Sequence, residues 1–149
     1  MNDNNDPIRI ALTGSLAMAK FVAGATGDTT YAGITAPAGY ARGESSAQPG
    51  QNISYRIMAK NNYSTAVNNF LICDTVPANT TLVSVSGGNL YRVGGNWSTS
   101  APAAGTAAGT EICVANGTLN GTQATLAPLA ATTTGTADEF NVDFVVKVN

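Results

Sequence analysis

Five apolar side chains at strict period two dominate the last ten residues: Phe140, Val142, Phe144, Val146 and Val148, alternating with Asn141, Asp143, Val145 and Lys147. Successive side chains of an extended chain point to opposite faces, so this run is a long strand with one fully apolar face. A strand of that kind is useful only when a second layer covers its apolar face. No stretch of the chain shows apolar residues at the helical period. The sequence therefore has to build its core from sheets.

The same alternation recurs upstream. Ile53, Tyr55, Ile57 and Ala59 share one face of Asn52–Lys60, and Ser54, Arg56, Met58 and Lys60 share the other. Shorter runs are expected at Leu16–Val22, Tyr31–Ile34, Val67–Cys73, Thr81–Ser86, Leu90–Val93, Glu111–Ala115 and Thr122–Leu126. In Thr81–Ser86 the alternation sets Leu82 on the face opposite Val83 and Val85. Asn61–Ser64, Gly87-Gly88, Gly94-Gly95, Asn116-Gly117 and Asn120-Gly121 read as turns. Residues 23–50 and 99–110 read as loops, the latter of low complexity. Charged residues make up only 11% of the chain, with Thr, Gly, Asn and Ala in the place of Lys and Glu, a bias against helices. The expected fold is all-β, a β-sandwich of about seven to nine strands in a single domain over 14–149, preceded by an extension at 1–13.

That extension carries its own signal. Ile8, Ile10 and Leu12 alternate with Arg9, Ala11 and Thr13, and Gly14-Ser15 then interrupts the run. Two arrangements fit this pattern equally well. The segment can pair with its own sheet as a first strand. It can also act as a donor strand that inserts into a neighbouring identical subunit, filling alternate pockets along a groove.

Composition excludes several functions. The chain has no histidine, and so no histidine base or metal ligand. Seven Lys+Arg against nine Asp+Glu leave no basic stripe for nucleic acid. No apolar run approaches the ~20 residues of a membrane span. Asp138 and Glu139 adjoin and would point to opposite faces of a strand, which unsuits them as an acid/base pair. The chain is accordingly read as not an enzyme, with no cofactor and no resident metal.

Cys73 and Cys113 are the two cysteines. A disulfide between strands is the leading reading, contributing about 4 kcal/mol at most by loop entropy. Two buried free thiols are the alternative. Six Asn-x-Ser/Thr sequons, at Asn52, Asn62, Asn79, Asn96, Asn116 and Asn120, are roughly twice the number expected from composition. They are candidate glycosylation sites, although turn chemistry alone also favours Asn at such positions. Residues 1–6 (MNDNND) lack the pattern of a signal peptide. Together with the cysteine pair and the sequons, this leads to the expectation of a mature extracellular or cell-surface chain.

The stretch Pro49–Asn62 (PGQNISYRIMAKNN), followed by Val67–Val83 with its Asp74-Thr75-Val76-Pro77-Ala78-Asn79 turn, resembles the prokaryotic conserved repeat domain family (domain of unknown function eleven). The closing run Phe140–Val148 is also similar to that family's last strand. The resemblance implies an Ig-like sandwich of secreted and surface proteins, often in tandem, and no catalytic residues. Residues 23–48 are longer than the family's usual first connection, and residues 1–13 precede its expected first strand. The functional expectation is a structural subunit of an extracellular filament, pilus or surface assembly. Its partner would be itself, head to tail through the donor strand. The alternative is an adhesive or carbohydrate-binding module directed at surface or glycan targets.

Overall fold

A computed structural model of the chain describes residues 16–132 and 138–149. Ile8, Ile10 and Leu12 lie outside the described residues, and so does the expected extra N-terminal strand.

The described residues are all-β. One sheet has five antiparallel strands in the order β4-β1-β5-β13-β7: β1 (Leu16–Ala23), β4 (Tyr40–Ala41), β5 (Asn52–Asn61), β7 (Thr80–Ser86) and β13 (Glu139–Val148). A second sheet runs β6-β10-β8-β9, from β6 (Ile72–Thr75), β8 (Leu90–Val93), β9 (Asn96–Ser98) and β10 (Glu111–Ala115). Two small hairpins complete the set: β2 (Thr30–Tyr31) with β3 (Ile34–Thr35), and β11 (Gly117–Asn120) with β12 (Gln123–Leu126). The elements outnumber the seven to nine expected because several are only two to four residues long. Pieces that short carry too few side chains to show a period.

The two larger sheets share one core, an arrangement compatible with a β-sandwich. Ile57, Ala59, Val142 and Phe144 of the first sheet meet Ile72, Tyr91, Ile112 and Val114 of the second. β13 lies between β5 and β7 and pairs with both over most of its length, as its unbroken apolar face requires. Phe70 meets Phe140 edge to face at 5.8 Å between ring centroids.

A second, smaller core lies on the opposite face of the five-stranded sheet. Ala19, Phe21 and Met58 point away from the main core and are covered by Ile34, Ala36 and Tyr40 from the long connection 24–43. Phe21 is completely buried there. On the same sheet Arg56 and Asp143 are cross-strand neighbours joined as a fork, Nε to Oδ1 at 2.6 Å and the second nitrogen to Oδ2 at 2.7 Å. Those bonds raise the Arg56 guanidinium above its ordinary value.

Five sequence expectations need correction. Tyr31–Ile34 is not one strand but the turn of the β2–β3 hairpin, with Ala32 and Gly33 at φ 52° and 77°. Leu82 does not face away from Val85, because both are buried. Val145 pairs with Ser84 and Val146 with Leu82, so Val83 is an extra residue that resets the phase of β7. Val67–Cys73 is not one strand. Asn69 takes a left-handed φ of 54°, Val67 makes an isolated bridge to Leu129, and β6 begins only at Ile72. Residues 117–120 are a strand and not part of a double turn; the tight turn falls at Gly121-Thr122, with Gly121 at φ 60°. Asn61 is not in a turn either. It is the buried last residue of β5.

Candidate functional site

Sheet edges are where a β-protein can take on another chain, since their N–H and C=O groups point outward. Most edges here are covered or short. The outer edge of β7 is met by the loop 99–110: Leu82 N–H donates to Thr106 O at 2.9 Å, and Gly105 N–H donates to Leu82 O at 2.8 Å. The same loop holds the residue after β6, with Val76 N–H donating to Thr110 O and Gly109 N–H to Val76 O. β9 has three residues and β4 two.

β1 differs. Its eight residues pair with β5 from Leu16 to Val22, but among the described residues β4 covers its other edge only at Val22 and Ala23. Among the described residues, Leu16–Phe21 therefore has no partner on that edge. On the core-facing side of this edge, Leu16 and Met18 are half-buried against the main core.

β6 is the matching edge of the second sheet, paired only with β10 among the described residues. The two edges lie on one side of the molecule, because Lys20 of β1 reaches Asp74 of β6 at 2.5 Å. The Lys20 ammonium also lies 4.7 Å from the centroid of the Tyr55 ring. Burial, and then the charge of Asp74, push the Tyr55 hydroxyl above its usual value. A hydroxyl harder to ionise in the folded chain than in the unfolded one favours folding below about pH 10, and that contribution is lost as pH rises through the folded value. Alkaline unfolding followed by circular dichroism should thus be less steep above pH 10 in Tyr55→Phe than in the parent. Identical alkaline limbs would show that Tyr55 is not perturbed.

The cysteines form the expected disulfide, which joins directly opposed residues of β6 and β10 within one sheet. Arg92 donates to Cys113 Sγ at 3.2 Å and lies 3.7 Å from Glu111. Cys73, Cys113 and Glu111 cluster, but with both sulfurs bonded to each other the trio offers a metal a single carboxylate. All six sequon asparagines are exposed, and none lies on β1, β4 or β6. Trp97, for which a core position is the usual expectation, instead sits half-exposed on β9, with the Arg92 guanidinium 5.5 Å from its ring centroid. Asp138 precedes β13 and is buried, and Glu139, the first residue of β13, lies 3.8 Å from Lys60. A concavity of about 500 Å³ lined by Ser45, Ser46, Gln51, Asn52 and Ser54 contains no ionisable side chain.

Comparisons with protein-family models, with curated proteins and with solved structures find no match to this chain.

Proposed function

We propose that the chain is a structural subunit of an extracellular filament, pilus or surface assembly, polymerising when residues 7–13 of one copy insert into the next. The observation that carries this reading is the edge of β1, uncovered from Leu16 to Phe21 among the described residues, where the edge of β7 is met by its own loop at Thr81 and Leu82. Ile8, Ile10 and Leu12 supply apolar side chains at the spacing such an edge accepts. Burying them fully contributes about 5–8 kcal/mol before the cost of ordering the strand. The absence of sequons from β1, β4 and β6 supports the same side as an interface, since a glycan there would block it.

In this reading the two sheets are an Ig-like sandwich of the kind implied by the resemblance to the conserved repeat domain. The disulfide departs from the inter-sheet bridge of antibody domains, because it links neighbouring strands of one sheet. Disulfide and exposed sequons together favour a location outside the cytoplasm. A carbohydrate-binding role would draw on Trp97, but Arg92 already stacks on that ring.

Deleting residues 1–13 tests the proposal. Electron microscopy and light scattering should show fibres for the full-length chain and monomers for the truncated one. Polymers from the truncated chain, or a full-length chain that stays monomeric at high concentration, would overturn it.

A further inference from the structure

The four-stranded sheet carries a row of reactive and charged side chains on the face turned away from the core. Cys73 of β6, Cys113 of β10, Arg92 of β8 and Trp97 of β9 are directly opposed neighbours, strand to strand. Ile72, Ile112, Val114 and Tyr91, which adjoin them in the chain, belong to the shared core. The row therefore lies on the outer face. We propose that it is a thiol-exchange site: a low-molecular-weight thiolate attacks the Cys73 sulfur, and Cys113 leaves as a thiolate held by Arg92.

The two sulfurs are not equivalent. Cys113 is completely buried and Cys73 is half-buried. Exchange needs an approach to one sulfur and the departure of the other, and access selects which one is attacked. Access favours Cys73. The departing sulfur takes the negative charge, so it leaves more readily where its surroundings hold that charge. The Arg92 guanidinium donates to Cys113 Sγ at 3.2 Å. A neutral disulfide gains little from a cation beside it, whereas a thiolate gains a charge-assisted hydrogen bond. Both asymmetries select the same direction of attack.

The other charges nearby do not cancel this. Glu111 Oε1 lies 3.6 Å from Cys113 Sγ and opposes a thiolate there. Its side chain is 62% exposed against 34% for Arg92, so water and salt screen the carboxylate more than the guanidinium. The cation is both closer and less screened. Arg92 is also kept in place, with the Trp97 ring 5.5 Å away on its other side. Asp74, next to Cys73 in the chain, points to the opposite face and is held there by Lys20.

In the step itself, the incoming sulfur bonds to Cys73 Sγ, the bond between the cysteines breaks, and its electron pair leaves on Cys113 Sγ. The products are a mixed disulfide on Cys73 and a thiolate on Cys113, with no proton or further oxidant needed. Backbone pairing from Ile72 to Thr75 keeps β6 beside β10 after the bond opens. The Cys113 thiolate can then return to Cys73 and expel the small thiol, which makes the attachment reversible.

Reduced glutathione is the probe, added to full-length protein that has never been reduced and trapped with N-ethylmaleimide for peptide mapping. Glutathione should be found on Cys73 and maleimide on Cys113, at a rate unchanged by urea too dilute to unfold the chain. Glutathione on Cys113, or on both cysteines alike, would overturn the proposal, and so would a bond that opens only once urea unfolds the chain. Arg92→Gln should slow opening roughly three- to tenfold, Arg92→Lys should recover part of the rate, and Glu111→Gln should quicken opening. Looser packing alone would quicken both Arg92→Gln and Glu111→Gln. Shifts of those two variants in the same direction, or rates equal to the parent's, therefore count against the site. Should Arg92→Gln fail to fold, the mapped position of glutathione in the parent and the Glu111→Gln rate still decide the matter.

Discussion

Gly88→Ala should lower stability by at least about 3 kcal/mol, and the protein should lose most of its soluble yield. The chain passes from the five-stranded sheet to the other at Gly87-Gly88, and it does so between two backbones. A Cβ on Gly88 would lie 2.3 Å from the carbonyl oxygen of Ala115 in β10 and 2.9 Å from the Val114 side chain. A Cβ on Gly87 would lie 2.1 Å from the carbonyl oxygen of Asn141 in β13, at a φ of 126° that side chains rarely adopt. Neither obstacle is the free end of a side chain. Both belong to strands buried in the shared core, so relief would require moving one sheet against the other. The crossing is also pinned: Tyr91 Oη donates to Gly88 O at 2.9 Å, and Asn89 N–H donates to Ala115 O at 3.1 Å. Gly94 provides the comparison. It also has a positive φ, 58°, but a Cβ there meets nothing within 4 Å, so Gly94→Ala should cost only about 1–2 kcal/mol. Urea unfolding midpoints for the two variants give the measurement. Equal midpoints would mean that the crossing is looser than its geometry implies.

These glycines show how the sequence both informs and misleads. Gly-Gly marks a change of direction, and the chain does turn there. The pair is needed because two backbones approach, and no local pattern encodes that. The long strands were legible for a physical reason: β5 and β13 each keep an apolar row toward the main core over many residues, so period two persists even where Met58 of β5 is buried on the other face. Val83 escaped because a single extra residue shifts the phase of β7, and its partner strand decides where that happens. Asn69 broke the expected strand at Val67–Cys73 through a left-handed backbone that Asn tolerates but does not announce. The candidate site was half legible. Ile8, Ile10 and Leu12 were visible as an apolar row, and the cysteine pair as a disulfide. The edge proposed to receive that row was not visible, because an open edge is a property of strand order. The low-complexity loop 99–110 looked like filler and meets the opposite edge at Thr81 and Leu82.

Asn61 is the residue whose role the sequence concealed most completely, and its replacement carries the second large effect. Asparagine beside Asn62-Tyr63-Ser64 has the chemistry of a turn. Its side chain is instead fully buried at the end of β5 and ties three segments together. Nδ2 donates to Thr65 O at 2.9 Å, to Ala130 O at 2.8 Å and, at 3.3 Å, to Leu129 O, while Oδ1 accepts from Tyr63 N–H at 2.9 Å. The backbone carbonyl of Asn61 accepts from the Thr132 hydroxyl. Leu129 O keeps Val67 N–H as a partner without Asn61, but the other bonded groups lose the side-chain partner they have here. Asn61→Ala should then cost about 2–4 kcal/mol, from the lost hydrogen bonds and the void left behind. Asn61→Asp separates chemistry from volume. It keeps the size and replaces a donor with a carboxylate aimed at carbonyl oxygens. Burial raises the pKa of such a carboxylate above its unfolded value, so the folded state holds its proton longer. By linkage the variant should lie closest to the parent at low pH and fall further below it as pH rises past about 4. Thermal melts at pH 3.5 and pH 7 for the parent and both variants decide the matter. If Asn61→Asp melts with the parent at pH 7, the side chain is not the buried donor that this geometry makes it.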